Sequence, residues 1–332
     1  MADESVPVID IAPSRRDQAG HAGVARKIAA ACETIGFFTI TGHGVDGAVI
    51  EALRAASGAF FAQPAAAKAM AGPPAPSVPR GYRAIGDEGL GASDGDATPP
   101  DLKEVFHLGP IDYPADAYHL TAAARPHFIE NVWPAAPAGF RPAATAYYRA
   151  MERLAGDLMA LFARALDVPP ADFARRIDRH ISALRIISYP PLSGTPRPGQ
   201  LRAGAHSDYG TLTILLSENK PGGLQVRTRS GAWIDVLTPP DAFVINIGDL
   251  MMRWTNDRWM SNQHRVVNPP PEAGDASRRL SVVFFHHPNY DAEIACIDSC
   301  AGPGTPAKYP PVLAGPYRLD KYTRTRIAEP VS

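Results

Sequence analysis

The chain has 332 residues, 45% of them hydrophobic, with a formal net charge of −1, so it can bury a sizeable core. The near-neutral balance gives no electrostatic reason to expect a nucleic acid or a membrane surface as partner, which leaves a small molecule as the expected one. No stretch of 18 apolar residues and no apolar leader is visible, and Cys32, Cys296 and Cys300 are too few for a disulfide framework, so a cytoplasmic protein is expected.

The N-terminal part opens on a short strand, "VPVIDI". A helix follows in "AGVARKIAAACETIG", where Val24, Ile28, Ala31 and Ile35 fall at helical spacing before Gly36. "FFTITGHGV" reads as a strand into a Gly-rich turn, and "AVIEALRAASGAFFAQP" as a helix stopped by Pro64. Residues 71–100 are dense in Gly, Pro, Ser and Asp, which predicts a long loop. A second amphipathic helix is predicted over 140–166, with Tyr147, Met151, Leu154, Leu158, Leu161, Phe162 and Ala165 on one apolar stripe.

From Leu184 the pattern changes to short β-rich runs. "LRIISYP", "GTLTILLSE", "GGLQVRT", "AWIDVLTP", "AFVINIGDL", "HRVVNP" and "RRLSVVFFHHP" are separated by Gly, Pro, Asn and Asp, as in a sandwich or jelly roll. The end of the chain is Pro-rich, with one short helical stretch in "YRLDKYTRTRIAE". No repeat or linker divides the chain. The reading is therefore mainly β with helical additions, in one unit over 1–332: a mixed flank at 1–180, the β core at 181–292 and a tail at 293–332.

The chemistry gathers in the β part. His206 and Asp208 are two apart at the start of what reads as a strand, so both would face one ion from one side. His264 opens another strand. Two imidazoles and one carboxylate form the facial triad of non-heme Fe(II) oxygenases, which leaves coordination positions open. Arg279 and Ser281 are again two apart, and a guanidinium beside a hydroxyl suits a carboxylate, with Tyr189 as a further donor.

The ordered set "VPVIDI", "GFFTITGHGV", "RGY", "NVWP", "HSDYGTLTIL", "GGLQV", "NIGD", "HRVVNP" and "RLSVVFFHHPNYDA" resembles the isopenicillin N synthase-like family of iron and 2-oxoglutarate dependent oxygenases. The resemblance spans almost the whole chain. It implies a double-stranded β-helix (jelly roll) wrapped by N-terminal helices and a C-terminal helical tail. It also implies Fe(II) on His206, Asp208 and His264, and 2-oxoglutarate on Arg279, Ser281 and Tyr189. With O2, such an enzyme hydroxylates, desaturates or cyclises a small organic molecule and releases succinate and CO2.

Two departures stand out. Ile187 occupies a position that is usually Asn in plant members, and "PPPEAGDAS" reads as a hairpin-loop insertion. Strand phase directs Val283 and Phe285 inward, together with His287, and sends His286 out. By analogy Tyr82, Phe106 and Tyr317 should also border the substrate pocket. His43 is read as a turn or packing residue, Asp249 as a turn residue held by backbone hydrogen bonds, and Trp254 and Trp259 as cover. Arg80, Arg83, Arg185 and Lys103 would tolerate an acidic substrate, although solvated surface is their expected fate. The alternatives are an oxidase of the isopenicillin N synthase type that uses the same triad without 2-oxoglutarate, a metal-dependent hydrolase, or a metal-binding protein.

Overall fold

The fold is a computed structural model that describes residues 5–91 and 99–324. Part of the 71–100 loop and the end of the predicted terminal helix lie outside the described residues. The first elements are β1 (Val8–Asp10), α1 (Gln18–Thr34), β2 (Phe37–Thr41), α2 (Gly47–Phe61), α3 (Ala65–Ala69), β3 (Gly81–Arg83) and β4 (Glu104–Leu108). Two helices follow, α4 (Phe140–Ala165) and α5 (Pro170–Ile177). Then come β5 (Ala183–Tyr189), β6 (Ala203–His206), β7 (Leu212–Leu216), β8 (Leu224–Arg227), β9 (Trp233–Asp235) and β10 (Phe243–Ile247). The chain continues through α6 (Asp249–Trp254), β11 (His264–Val266), β12 (Arg279–His286), β13 (Glu293–Ile294), β14 (Val312–Leu313) and α7 (Ala314–Arg324).

Local chemistry sets several of these boundaries. Asp17 caps α1 by accepting a 2.7 Å hydrogen bond from the Gly20 amide, and Asp46 does the same for α2 from Ala48 at 2.9 Å. The helix α1 gives way to β2 at Gly36, whose φ of 68° suits a residue without a side chain.

Eight strands form one sheet in the order β1-β2-β10-β7-β12-β5-β4-β3, and four form a second in the order β6-β11-β8-β9. Only β1 and β2 run parallel within the large sheet. Strands β1 to β4 precede residue 180 yet share that sheet with β5, β7, β10 and β12.

The large sheet is covered on both faces. Leu184, Ile186, Ile214, Ile245, Val282 and Phe284 share one core with the buried stripe of α4, whose Tyr148 ring meets Phe284 edge-on at 5.2 Å. Ile187, Leu215, Val244 and Val283 point the other way, into a second core with Ala203, Val226 and Val266 of the small sheet. Burial on both faces explains why "LTILL" and "FVINI" are mostly apolar instead of alternating, with Thr213 and Asn246 the polar exceptions. The result is a mixed α+β fold.

Some sequence expectations change here. His206 is the last residue of β6, and Asp208 lies beyond it in the turn before β7, so the two do not share a strand. The "PPPEAGDAS" segment is mostly a 3-10 turn over Pro271–Ser277 instead of a hairpin loop. Arg80 and Lys103 are buried instead of solvated, and Arg185 is half-buried against a cavity. Asp249 holds its turn through a backbone bond to Asp208, as expected, and its side chain adds further bonds, to Ser261 Oγ at 2.7 Å and Lys321 Nζ at 2.9 Å. Among the described residues no helix is long and apolar enough to cross a membrane.

Candidate active site

A cavity of about 110 Å³ lies between the two sheets. His206, Asp208 and His264 meet in its wall, each buried, with one ligand atom apiece lying within 4.8 Å of the other two. His206 and His264 are directly opposed on the antiparallel strands β6 and β11, which brings their rings to 4.3 Å. Asp208 Oδ1 is 4.0 Å from His206 Nε2 and 3.7 Å from His264 Nε2.

Every atom that does not converge is tied down. His206 Nδ1 donates to the Gly204 carbonyl at 2.7 Å and His264 Nδ1 to that of Asn262 at 3.2 Å, leaving both Nε2 atoms to the centre. Asp208 Oδ2 accepts from Thr213 Oγ1 at 2.6 Å and Asn246 Nδ2 at 2.7 Å, which leaves Oδ1 free to coordinate. The Asp249 amide holds the Asp208 carbonyl at 2.7 Å. A Cβ on Gly248 would run into the backbone of Gly210, so the turn that presents Asp208 closes only because both positions are glycine.

The electrostatics suit a metal. Burial first, then the neighbouring His264, pushes the His206 imidazole down to about 3, so it stands neutral. Burial opposes ionisation of Asp208, but the two imidazoles and the bonds from Asn246 and Thr213 hold it below the usual carboxylate range. Two imidazoles and one carboxylate, each turning one ligand atom inward, with no fourth His, Cys, Asp or Glu in the cluster among the described residues, fit Fe(II) with open positions.

Farther along the same cavity, β12 presents Arg279, Ser281, Val283 and Phe285, alternating as the strand phase requires. Arg279 is paired across the ladder with Tyr189 and lies 5.9 Å from its ring. Its guanidinium is fixed by bonds to Ser217 Oγ and to the Gly222 carbonyl at 3.2 Å, while the buried Nε has no partner. Burial lowers the Arg279 pKa and raises that of Tyr189 to about 12. Donors therefore remain for an incoming carboxylate. Ile187, which replaces the Asn usual in plant members, adds apolar wall and no polar contact.

The other expected pocket residues divide. Val283, Phe285 and His287 line the cavity, whereas His286 faces away, its Nδ1 2.7 Å from Thr211 Oγ1. Tyr82, Phe106 and Tyr317 do not line it. Phe106 and Glu104 sit on the helix-facing side of β4, where Phe106 packs on Phe140 at 4.8 Å and Glu104 accepts from Tyr82 Oη at 2.6 Å. Tyr317 turns toward Asp249 at 3.4 Å, and its neighbour Arg318 enters the cavity wall instead. His43 makes turn and packing contacts, with Val45 N at 3.1 Å and the Phe243 ring at 4.5 Å.

Several residues escaped the sequence reading. Thr213 and Asn246 lie within "HSDYGTLTIL" and "NIGD", but nothing in those motifs announces that the two side chains hold the second oxygen of Asp208; each lies on the inward phase of its strand. Arg202 is fully buried and bridges the carbonyls of Pro190, Pro221 and Ser277, clamping the loop beside Tyr189. Glu88 forms an ion pair with Arg185 and a 3.0 Å bond to His107 Nε2.

Residues 6–136 match a family model described as non-haem dioxygenase in morphine synthesis N-terminal, and residues 180–288 match the 2OG-Fe(II) oxygenase superfamily. The 2-oxoglutarate-Fe(II) type oxidoreductase hxnY of Emericella nidulans is 33% identical over 320 residues, covering 94% of this chain and 88% of that protein. Validamycin A dioxygenase of Streptomyces hygroscopicus subsp. limoneus is 32% identical over 322 residues, with 96% and 86% covered. Among solved structures, a full-length Neurospora crassa protein in complex with alpha-KG and thymine matches at a TM-score of 0.84 and 28% identity, over 98% of each chain.

Proposed function

The chain belongs to the 2OG-Fe(II) oxygenase superfamily, and from that premise we propose how its own residues divide the work. It is a dioxygenase dependent on Fe(II) and 2-oxoglutarate, which displaces the reading as a 2-oxoglutarate-independent oxidase or a hydrolase. In our reading His206, Asp208 and His264 hold the iron. Arg279 and Ser281 take the far carboxylate of 2-oxoglutarate, and Tyr189 backs them. The observation that carries this assignment is the convergence of Nε2, Oδ1 and Nε2 in the cavity that also holds the Arg279 guanidinium.

Iron bound with 2-oxoglutarate supplies oxidative decarboxylation to succinate and CO2, coupled to oxidation of a C–H bond by O2. The protein's share is orientation and dryness. Thr213 and Asn246 fix the carboxylate rotamer, the carbonyls of Gly204 and Asn262 fix both imidazole tautomers, and Leu215 and Val283 keep water from the space between. Val283 and Phe285 border the oxidised molecule, a small organic compound whose placement decides between hydroxylation, desaturation and cyclisation.

We read the two sheets as halves of a distorted double-stranded β-helix, since the cavity between them draws on strands of both. In this reading residues 181–292 carry the iron and 2-oxoglutarate sites, the described residues before 181 flank them, and those over 293–324 form the cover. The completion of the large sheet by β1 to β4 supports treating 1–332 as one catalytic unit. A cytoplasmic location accords with three free cysteines among the described residues.

Purified chain supplied with Fe(II) in air should form succinate only when 2-oxoglutarate is present, consuming one O2 per succinate. D208A should lose both signals. Oxygen uptake that ignores 2-oxoglutarate would overturn the reading.

A further inference from the structure

The cavity has a second charged end, away from Arg279, where the helix α7 closes over it. Arg318 of α7 lines this end together with Tyr322, one turn later, and with Arg185, His107 and His287. Two of these groups are already balanced. Arg185 pairs with Glu88, which also binds His107, so that trio brings no net need for an anion. Burial keeps His107 neutral, at about 4, and His287 well below its ordinary value.

Arg318 has no such balance. It is 7% exposed, and among the described residues it has no carboxylate within ion-pair distance. Its one hydrogen-bond contact there is Nη1 to His127 Nδ1 at 3.3 Å, and His127 is held neutral, at about 3, by burial and by the charges of Arg318 and Arg80. Arg80, the neighbouring cation, spends its own guanidinium on the carbonyls of Pro79, His127 and Ile129 and offers no negative charge. A guanidinium taken out of water beside a second one is costly unless an anion joins it.

A second, independent observation lies next to it. His287 is 4% exposed and lines the cavity, yet its Nδ1 has no hydrogen-bond partner. A Cβ built on Gly210 would lie 3.1 Å from that nitrogen, so it sits beside the turn that presents Asp208. An orphaned donor or acceptor and an unbalanced guanidinium thus face the same space. Phe285 and Val283 supply apolar wall in that space.

We infer that Arg318 is the anchor for a carboxylate on the oxidised molecule, with His287 as a second polar contact nearer the metal. The substrate class is then a small carboxylic acid with an apolar body, gripped at one end by the Arg318 fork and presented to the iron by the other. The inference rests on the dioxygenase reading above. Among the described residues it gives the two cavity-lining arginines that have no ion-pair partner separate tasks, Arg279 for the cosubstrate and Arg318 for the substrate.

The test uses the full chain with Fe(II) and 2-oxoglutarate, and a probe set of benzoate, phenylacetate, 3-phenylpropanoate and hexanoate, each beside its primary amide. At least one acid should stimulate succinate formation at a concentration tenfold or more below that needed by its amide. R318Q should erase that preference while keeping the visible charge-transfer band of iron-bound 2-oxoglutarate. Should R318Q lose the band, R318M, neutral and of similar length, carries the same comparison. Amides as effective as acids across the set, or an acid preference intact in the variant, would overturn the inference. Failure of the wild-type chain to form the band at all would instead overturn the dioxygenase reading beneath it.

Discussion

Asp208 offers only Oδ1 to the cavity because Asn246 and Thr213 occupy Oδ2, and that division makes those two neighbours measurable. Outer partners of this kind typically contribute about 10- to 100-fold in metal affinity. N246A and T213V should each weaken Fe(II) binding by that order in an anaerobic titration, with unfolding temperatures near wild type; unchanged affinity would show that Oδ2 needs no fixing. Both residues fall inside the ordered motifs, yet their role could not be read there, since a Thr and an Asn inside apolar strands announce nothing until the carboxylate's second oxygen is located. The triad was legible for the opposite reason: a His-x-Asp pair joined by a histidine that opens a strand is a chemically specific set. Arg318 was legible only as a neighbour of Tyr317, because helical phase, not chain position, decides which of the two reaches the cavity.

The strand β12 separates stability from chemistry by simple alternation. Phe284, fully buried, belongs to the core under α4, whereas Val283 borders the cavity. F284A should cost about 3–5 kcal/mol in urea unfolding, as large buried aromatics do, while leaving the charge-transfer band of any folded protein intact. V283A should cost only about 1 kcal/mol and should alter binding in the cavity instead. Equal losses from the two would contradict the two-faced description of the sheet. The inward phase of Arg279, Ser281, Val283 and Phe285 could be read from sequence because a strand fixes its own parity. That parity argument failed for His206 and Asp208, since β6 ends at His206 and the chain turns through Tyr209 and Gly210. No parity argument was open to Phe106, placed at the pocket by analogy alone, because its strand β4 was not anticipated and its helix-facing phase could not be set.

At the scale of the molecule, the cavity exists because one large sheet is sandwiched between helices on one face and a smaller sheet on the other. The site draws on remote parts of the chain: Glu88 and His107 from the N-terminal flank, the triad and Arg279 from the β core, Arg318 from the terminal helix. Pairings such as Arg185 with Glu88, 97 positions apart, depend on sheet order and not on local pattern, so Arg185 read as solvated surface. The ordered motifs nonetheless carried the family and pointed to three residues that the fold brings together, because strands and turns recur in one sequence order. The central claim is that iron on the triad and 2-oxoglutarate on Arg279 share this one cavity. The most direct measurement is an anaerobic titration of the Fe(II)-loaded chain with 2-oxoglutarate, following the weak visible charge-transfer band of a chelated 2-oxo acid. The wild type should show the band and R279A should lose it at the same cosubstrate concentration; iron binding with no band at any concentration, or a band indifferent to R279A, would show that Arg279 does not hold 2-oxoglutarate beside the iron.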